Sequence, residues 1–108
     1  MNKKARHNIY VIELDRSVLK DKKFLEANPD FDGKKPCVYV GMTGRTPEEK
    51  FEQHKRGYKS NKYAKKYGIR LKPRLYASHN PMAHDDACAM EKEKARRLRN
   101  RGYAVWQK

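Results

Sequence analysis

Tyr10, Tyr39, Lys50, His54 and Glu91 are the residues of this chain whose types could do chemistry together. A phenol, an ammonium, an imidazole and a carboxylate form a kit for metal-assisted cleavage of a phosphodiester, provided the fold brings them to one place. Lys50 and His54 are four apart in a helix-like segment, so their side chains lie one turn above the other on one face. A solvated helix face is the plainer reading of that spacing. Glu91 shares a helical stripe with Ala87, Ala95 and Leu98, which points it inward over the rest of the fold, whereas Glu93 lacks that company. A carboxylate turned inward needs a nearby cation or a bound metal ion. Tyr10 and Tyr39, taken singly, read as ordinary strand aromatics that pack across strands.

The elements that must position these groups can be read from periodicity and stop signals. His7 to Leu14 is a predicted strand with Ile9 and Val11 on one face and Tyr10, Ile12 and Leu14 on the other, so both faces are apolar and the strand is internal. Cys37 to Met42 is a second strand that should pair with the first, and its Gly41 leaves room for a close approach. Between them, residues 15–35 are charged and end in turn chemistry around Asn28-Pro29-Asp30 and Asp32-Gly33. A helical turn or short helix is expected around Ser17 to Ala27, then a loop. Thr46-Pro47-Glu48-Glu49 starts a helix with a capping threonine, a proline at the first helical position and a glutamate three residues after the cap; it should run to Arg56 and stop at Gly57. A second short helix is expected from Ser60 to Gly68. Ile69 to Ser78 is then read as an edge or bulged strand because of Pro73, and Asn80-Pro81 as a turn. His84 to Arg101 is the longest helix, with Asp85 and Asp86 in its first turn and Gly102 as its stop, followed by a closing strand from Tyr103 to Trp106.

Charge points to the partner. The 108 residues hold 27 Lys and Arg against 13 Asp and Glu, a formal net charge of +14, which attracts polyanions over about one Debye length, roughly 8 to 10 Å at physiological salt. Nucleic acid is the expected partner; a merely soluble, highly charged domain is the alternative. No stretch approaches the roughly 20 apolar residues of a membrane span, and Met1 to Tyr10 lacks the apolar run of a signal peptide, so a cytoplasmic location is expected and a membrane partner is not. Cys37 and Cys88 lack zinc-site or disulfide spacing and are expected to be small packing residues. The length suits one domain with one modest core.

Asn8-Ile9-Tyr10 and Tyr39-Val40-Gly41-Met42-Thr43-Gly44, then a basic residue and a histidine four apart on a helix, then Glu91 on a later helix, occur in an order that resembles the GIY-YIG nuclease family. The resemblance covers the chain as one domain, 1–108. Asn8 stands where the family has glycine, Lys50 where it has arginine, and the connection between the tyrosines is longer than the family's hairpin, which marks an insertion around 15–35. The family's late asparagine has no clear counterpart, with Asn100 too near Glu91 and Gln107 the other candidate.

The resemblance implies an α/β fold, a small central β-sheet flanked by helices, and a metal-dependent endonuclease that hydrolyses phosphodiester bonds in DNA. It implies Tyr10 as general base, His54 hydrogen-bonded within the cluster to ease loss of the phenolic proton, Lys50 supplying positive field, Tyr39 positioning phosphate or water, and Glu91 holding one Mg2+ or Mn2+. A fold that keeps the scaffold as a weak or inactive nucleic-acid-binding module is the alternative. Outside the site, Arg45, Lys55, Arg56, Lys59 and Lys62, with Lys65 and Lys66, interleave with Tyr58, Tyr63 and Tyr67. These residues either grip a nucleic-acid backbone and stack bases, or pack a small helix while the lysines stay solvated. Nothing in the chain marks a recognition module or calls for a protein partner, so structure-selective or single-strand cleavage, as in DNA repair or uptake, is the preferred expectation.

Overall fold

The computed structural model describes residues 5–107. Residues 1–4, on which part of the leader expectation falls, and residue 108 lie outside them. Four strands form one mixed sheet in the order β3-β1-β2-β4: β1 (Asn8–Leu14), β2 (Cys37–Thr43), β3 (Gly68–Leu71) and β4 (Ala104–Gln107). β1 pairs antiparallel with both β2 and β3, and β4 runs parallel to β2. The helices are α1 (Lys22–Glu26), α2 (Pro47–Arg56), α3 (Lys62–Tyr67) and α4 (His84–Asn100). The protein is thus an α/β domain. No helix among the described residues is long and apolar enough to cross a membrane.

The two tyrosine strands are central because both of their faces are apolar. Ile9, Tyr10, Val11, Ile12 and Leu14 of β1 and Cys37, Val38, Tyr39 and Val40 of β2 are all buried. α4 covers this sheet through Ala87, Ala95 and Leu98, the stripe read from the sequence. α2 begins with the expected capping box: Thr46 Oγ1 accepts from the Glu49 amide at 3.1 Å, and Glu49 Oε1 accepts from the Thr46 amide at 3.2 Å. Such a cap contributes about 1 kcal/mol. Gly57 ends the helix at φ +83°, a left-handed conformation that costs glycine little.

The expected helix over Ser17 to Ala27 is two pieces, a 3-10 segment (Arg16–Lys20) and α1, broken at Asp21, whose carboxylate caps α1 by accepting from the Phe24 amide. This connection protects an edge of the sheet. The buried Asn28 side chain donates to Val105 O at 3.0 Å and accepts from Val105 N at 2.7 Å, so its amide stands in for a neighbouring strand along β4. The expected strand from Ile69 to Ser78 is corrected: β3 ends at Leu71, and Pro73–Leu75 and Ala77–His79 form 3-10 turns. Pro73 has no amide hydrogen to continue the ladder. Cys37 is fully buried; Cys88 is half-buried, its Sγ 3.5 Å from Met42 Sδ.

Candidate functional site

The register of β1 on β2 places both tyrosines on one face. Tyr10 lies opposite Gly41 and Ile12 opposite Tyr39, so Tyr10 and Tyr39 are diagonal neighbours, ring centroids 6.1 Å apart. The close approach anticipated at Gly41 is that of Tyr10. A Cβ at position 41 would sit 2.5 Å from Tyr10 Oη and 3.0 Å from Tyr39 Cε2, so only a hydrogen there lets the two rings coexist. Asn8 ties the loop after β2 to the start of β1 by donating from its side chain to Arg45 O at 2.9 Å.

α2 brings His54 over this pair. Its ring is 1% exposed, with Nε2 2.8 Å from Tyr10 Oη and Nδ1 accepting from the Asn61 amide at 3.0 Å. Together these contacts assign the tautomer. A nitrogen that accepts from a backbone N–H carries no proton, so neutral His54 holds its hydrogen on Nε2 and donates it to the Tyr10 oxygen. Neutrality follows from the surroundings: burial first, then the charge of Lys50, pull the His54 pKa from 6.5 down to about 4.

The phenols are held protonated in the resting site. Burial, the neighbouring Tyr39 and the Glu91 charge raise the Tyr10 pKa well above its ordinary value of 10; burial and Glu91 push Tyr39 up to about 12. The Tyr10 oxygen receives the His54 Nε2–H. Loss of its proton would leave a phenolate already receiving one hydrogen bond.

Lys50, one turn before His54, donates from Nζ to Lys59 O at 3.0 Å. Lys59 is held at φ +45°, a conformation that costs a non-glycine residue about 1 kcal/mol. Glu91, half-buried on α4, accepts from Gln107 Nε2 at 2.9 Å. All of the candidate chemical residues, Tyr10, Tyr39, Lys50, His54 and Glu91, line one cleft of about 730 Å³, with Lys59, Ser60, Asn61 and Lys62 along its wall. Gln107 and Asn61 complete the arrangement. Gln107 reaches Glu91 because β4 runs parallel to β2 with Gln107 beside Val40; Asn61 is visible in sequence only as a helix cap, which it also is.

The donor set suits a hard divalent ion, since Glu91 and two phenols offer oxygen. Among the described residues no group of three or more His, Cys, Asp or Glu is gathered to hold a metal. An ion here would take one carboxylate, Glu91, and fill its sphere with water and substrate oxygens, as Mg2+ does at phosphate sites.

The candidate nucleic-acid-binding residues divide. Lys59 and Lys62 line the cleft, and Arg56 and Tyr58 are exposed near it in sequence. Lys55 donates to the carbonyls of Lys65 and Gly68 at 3.1 and 2.8 Å, which ties α2 to the end of α3. Arg45 is exposed and 3.8 Å from Glu49, a surface pair worth little. Tyr63 is corrected as a stacking candidate. It is 1% exposed, packs on Trp106 with centroids 4.7 Å apart, and donates its hydroxyl to Asp21 at 2.9 Å, so it joins α3 to the 15–35 connection. That connection contributes no residue to the cleft lining; its Asp21 and Phe24 instead hold Tyr63, the neighbour in sequence of the lining residue Lys62.

No family model matches this chain, and neither a curated protein nor a solved structure matches it either.

Proposed function

We propose that this protein is a divalent-metal-dependent endonuclease of the GIY-YIG type, acting on phosphodiester bonds in DNA. The observation that carries the reading is the convergence of Tyr10, Tyr39, Lys50, His54 and Glu91 from two strands and two helices on one cleft. Order along the chain alone would not require it. The net charge of +14 supplies the attraction for a polyanionic substrate.

In this reading Tyr10 first loses its phenolic proton to solvent, and the phenolate then takes a proton from the attacking water and returns to the phenol. His54 Nε2–H stabilises the phenolate before that transfer, and the Asn61 amide on Nδ1 keeps the imidazole in the tautomer that donates. Lys50, Lys59 and Lys62 bring positive charge to the scissile phosphate, and Tyr39 positions phosphate or water. Glu91, oriented by Gln107, would hold Mg2+ or Mn2+, which supplies Lewis-acid polarisation of the phosphate and stabilises the leaving oxygen when bound. Neutralising the Glu91 charge would also remove one cause of the raised Tyr10 pKa.

A binding module without efficient cleavage is the second reading, favoured by Lys50. Its single ammonium lacks the bidentate fork of arginine and is engaged by the Lys59 carbonyl. Incubation of the purified chain with single- and double-stranded DNA and RNA, in Mg2+, Mn2+ or chelator, separates the two. Metal-dependent products support the endonuclease; binding without products supports the module.

A further inference from the structure

We infer that the turn after α2 is a nucleobase-stacking platform built on Tyr58, and that the strand entering the cleft is unpaired where it meets this turn. The inference rests on the nucleic-acid part of the reading above and adds the class of substrate. Three tyrosines of this region differ in exposure. Tyr63 is in the core, Tyr67 lies half-buried and stacked on it with centroids 6.5 Å apart, and Tyr58 is 57% exposed, more than the exposed Leu25 or Ile69. An aromatic ring left that open contributes little to packing.

The ring is nevertheless carried on a fixed backbone. The Gly57 amide donates to His54 O and the Tyr58 amide to Gln53 O, each at 3.0 Å, and the left-handed Gly57 and Lys59 bracket Tyr58 at φ +83° and +45°. A tyrosine has two side-chain torsions to fix, so a rigid turn presents its face at small entropic cost. The turn is also part of the cleft wall. Its inward side gives the Lys59 carbonyl to Lys50, and Lys59 and Ser60 line the cleft. Lys59 Nζ lies 5.5 Å from the Tyr58 ring centroid, so one side chain spans the ring and the cleft. A phosphate held at Lys59 puts the adjoining nucleotide beside Tyr58.

Only an unpaired base can use such a face. In a duplex both faces of a base are covered by neighbours, whereas single strands stack on protein aromatics with about 1 to 3 kcal/mol per base. Lys55, Arg56 and Lys62 surround the turn in sequence with sequence-independent phosphate attraction, which a duplex would share.

The test is fluorescence anisotropy with the full chain in chelator at fixed salt, using a labelled single-stranded DNA oligonucleotide and the duplex made from it. Tyr58→Ala is expected to weaken single-strand binding by about 5- to 150-fold and duplex binding by less than about twofold, with Tyr58→Phe retaining the parent affinity for both. Unchanged thermal unfolding of Tyr58→Ala excludes a folding defect. Equal losses on both forms, or no loss on the single strand, overturn the stacking platform while leaving the nuclease reading to its own cleavage test. Failure of the parent protein to bind either form overturns both. Because cleavage is suppressed throughout, an inactive cleft does not affect the outcome.

Discussion

Replacing His54 by Gln should remove about 2 kcal/mol of the acid sensitivity of folding between pH 7 and pH 5. In the folded protein the imidazole is buried against Tyr10 and Tyr39 beside the Lys50 charge, and its pKa falls from 6.5 to about 4. In the unfolded chain it returns to the ordinary value. The unfolded state therefore takes up a proton that the folded state refuses, so stability falls as pH drops through 6.5 and stops falling near 4. With those two values the loss is about 2 kcal/mol at pH 5 and approaches about 3 kcal/mol below pH 4. His54→Gln cannot titrate, while its amide keeps a donor and an acceptor in the same region. His79, whose pKa is lowered by burial and then by the Lys94 and Arg97 charges, loses stabilisation in the same window, and Asp15, Asp21, Glu49 and Glu93, with depressed pKa values, do so mainly below pH 5; all of these act equally in both proteins and cancel in the comparison. Urea unfolding of parent and variant at pH 7 and pH 5 gives the difference of differences directly. An equal pH dependence in the two proteins, or an NMR midpoint for His54 near 6.5, refutes the buried neutral imidazole and with it the assigned tautomer.

Two further outcomes follow from the same geometry. The rate of metal-dependent cleavage should rise nearly tenfold per pH unit from about pH 7 to 9, because the Tyr10 phenol stays below its pKa, and a pH–rate profile should show no inflection near 6.5, because His54 is already neutral there. Gly41→Ala should destabilise the fold by about 1 to 3 kcal/mol and abolish cleavage, since its Cβ would fall 2.5 Å from Tyr10 Oη, while Gly44→Ala, with its nearest neighbour 3.5 Å away at His7 Nε2, should leave melting temperature and rate unchanged.

What could be read in advance was what local chemistry determines. α2 was legible from Thr46 to Gly57 because cap, proline and stop all lie within the segment, and β1 and β2 were legible because apolar residues on both faces mark internal strands. The inward turn of Glu91 followed from its stripe. The rest depends on contacts between distant segments. Gln107 meets Glu91 through the parallel register of β4, and the Asn61 amide meets His54 through the tight α2–α3 turn, neither of which has a local signature. Tyr58 and Tyr63 look alike in sequence; only the packing of Trp106 and Phe24 around Tyr63 separates them. The role of the 15–35 connection was hidden for the same reason, because Asn28 acts on β4, at the opposite end of the chain.

Tyr10 and Glu91 carry the proposed chemistry, so the most direct measurement is cleavage of labelled single- and double-stranded DNA in Mg2+ or Mn2+ by the parent protein, Tyr10→Phe and Glu91→Ala. The expected result is metal-dependent products from the parent, a loss of about 10²- to 10⁴-fold in Tyr10→Phe, no detectable products from Glu91→Ala, and DNA affinity largely retained in both variants. Undiminished turnover in either variant contradicts the assignment, as does the absence of any metal-dependent product from the parent protein.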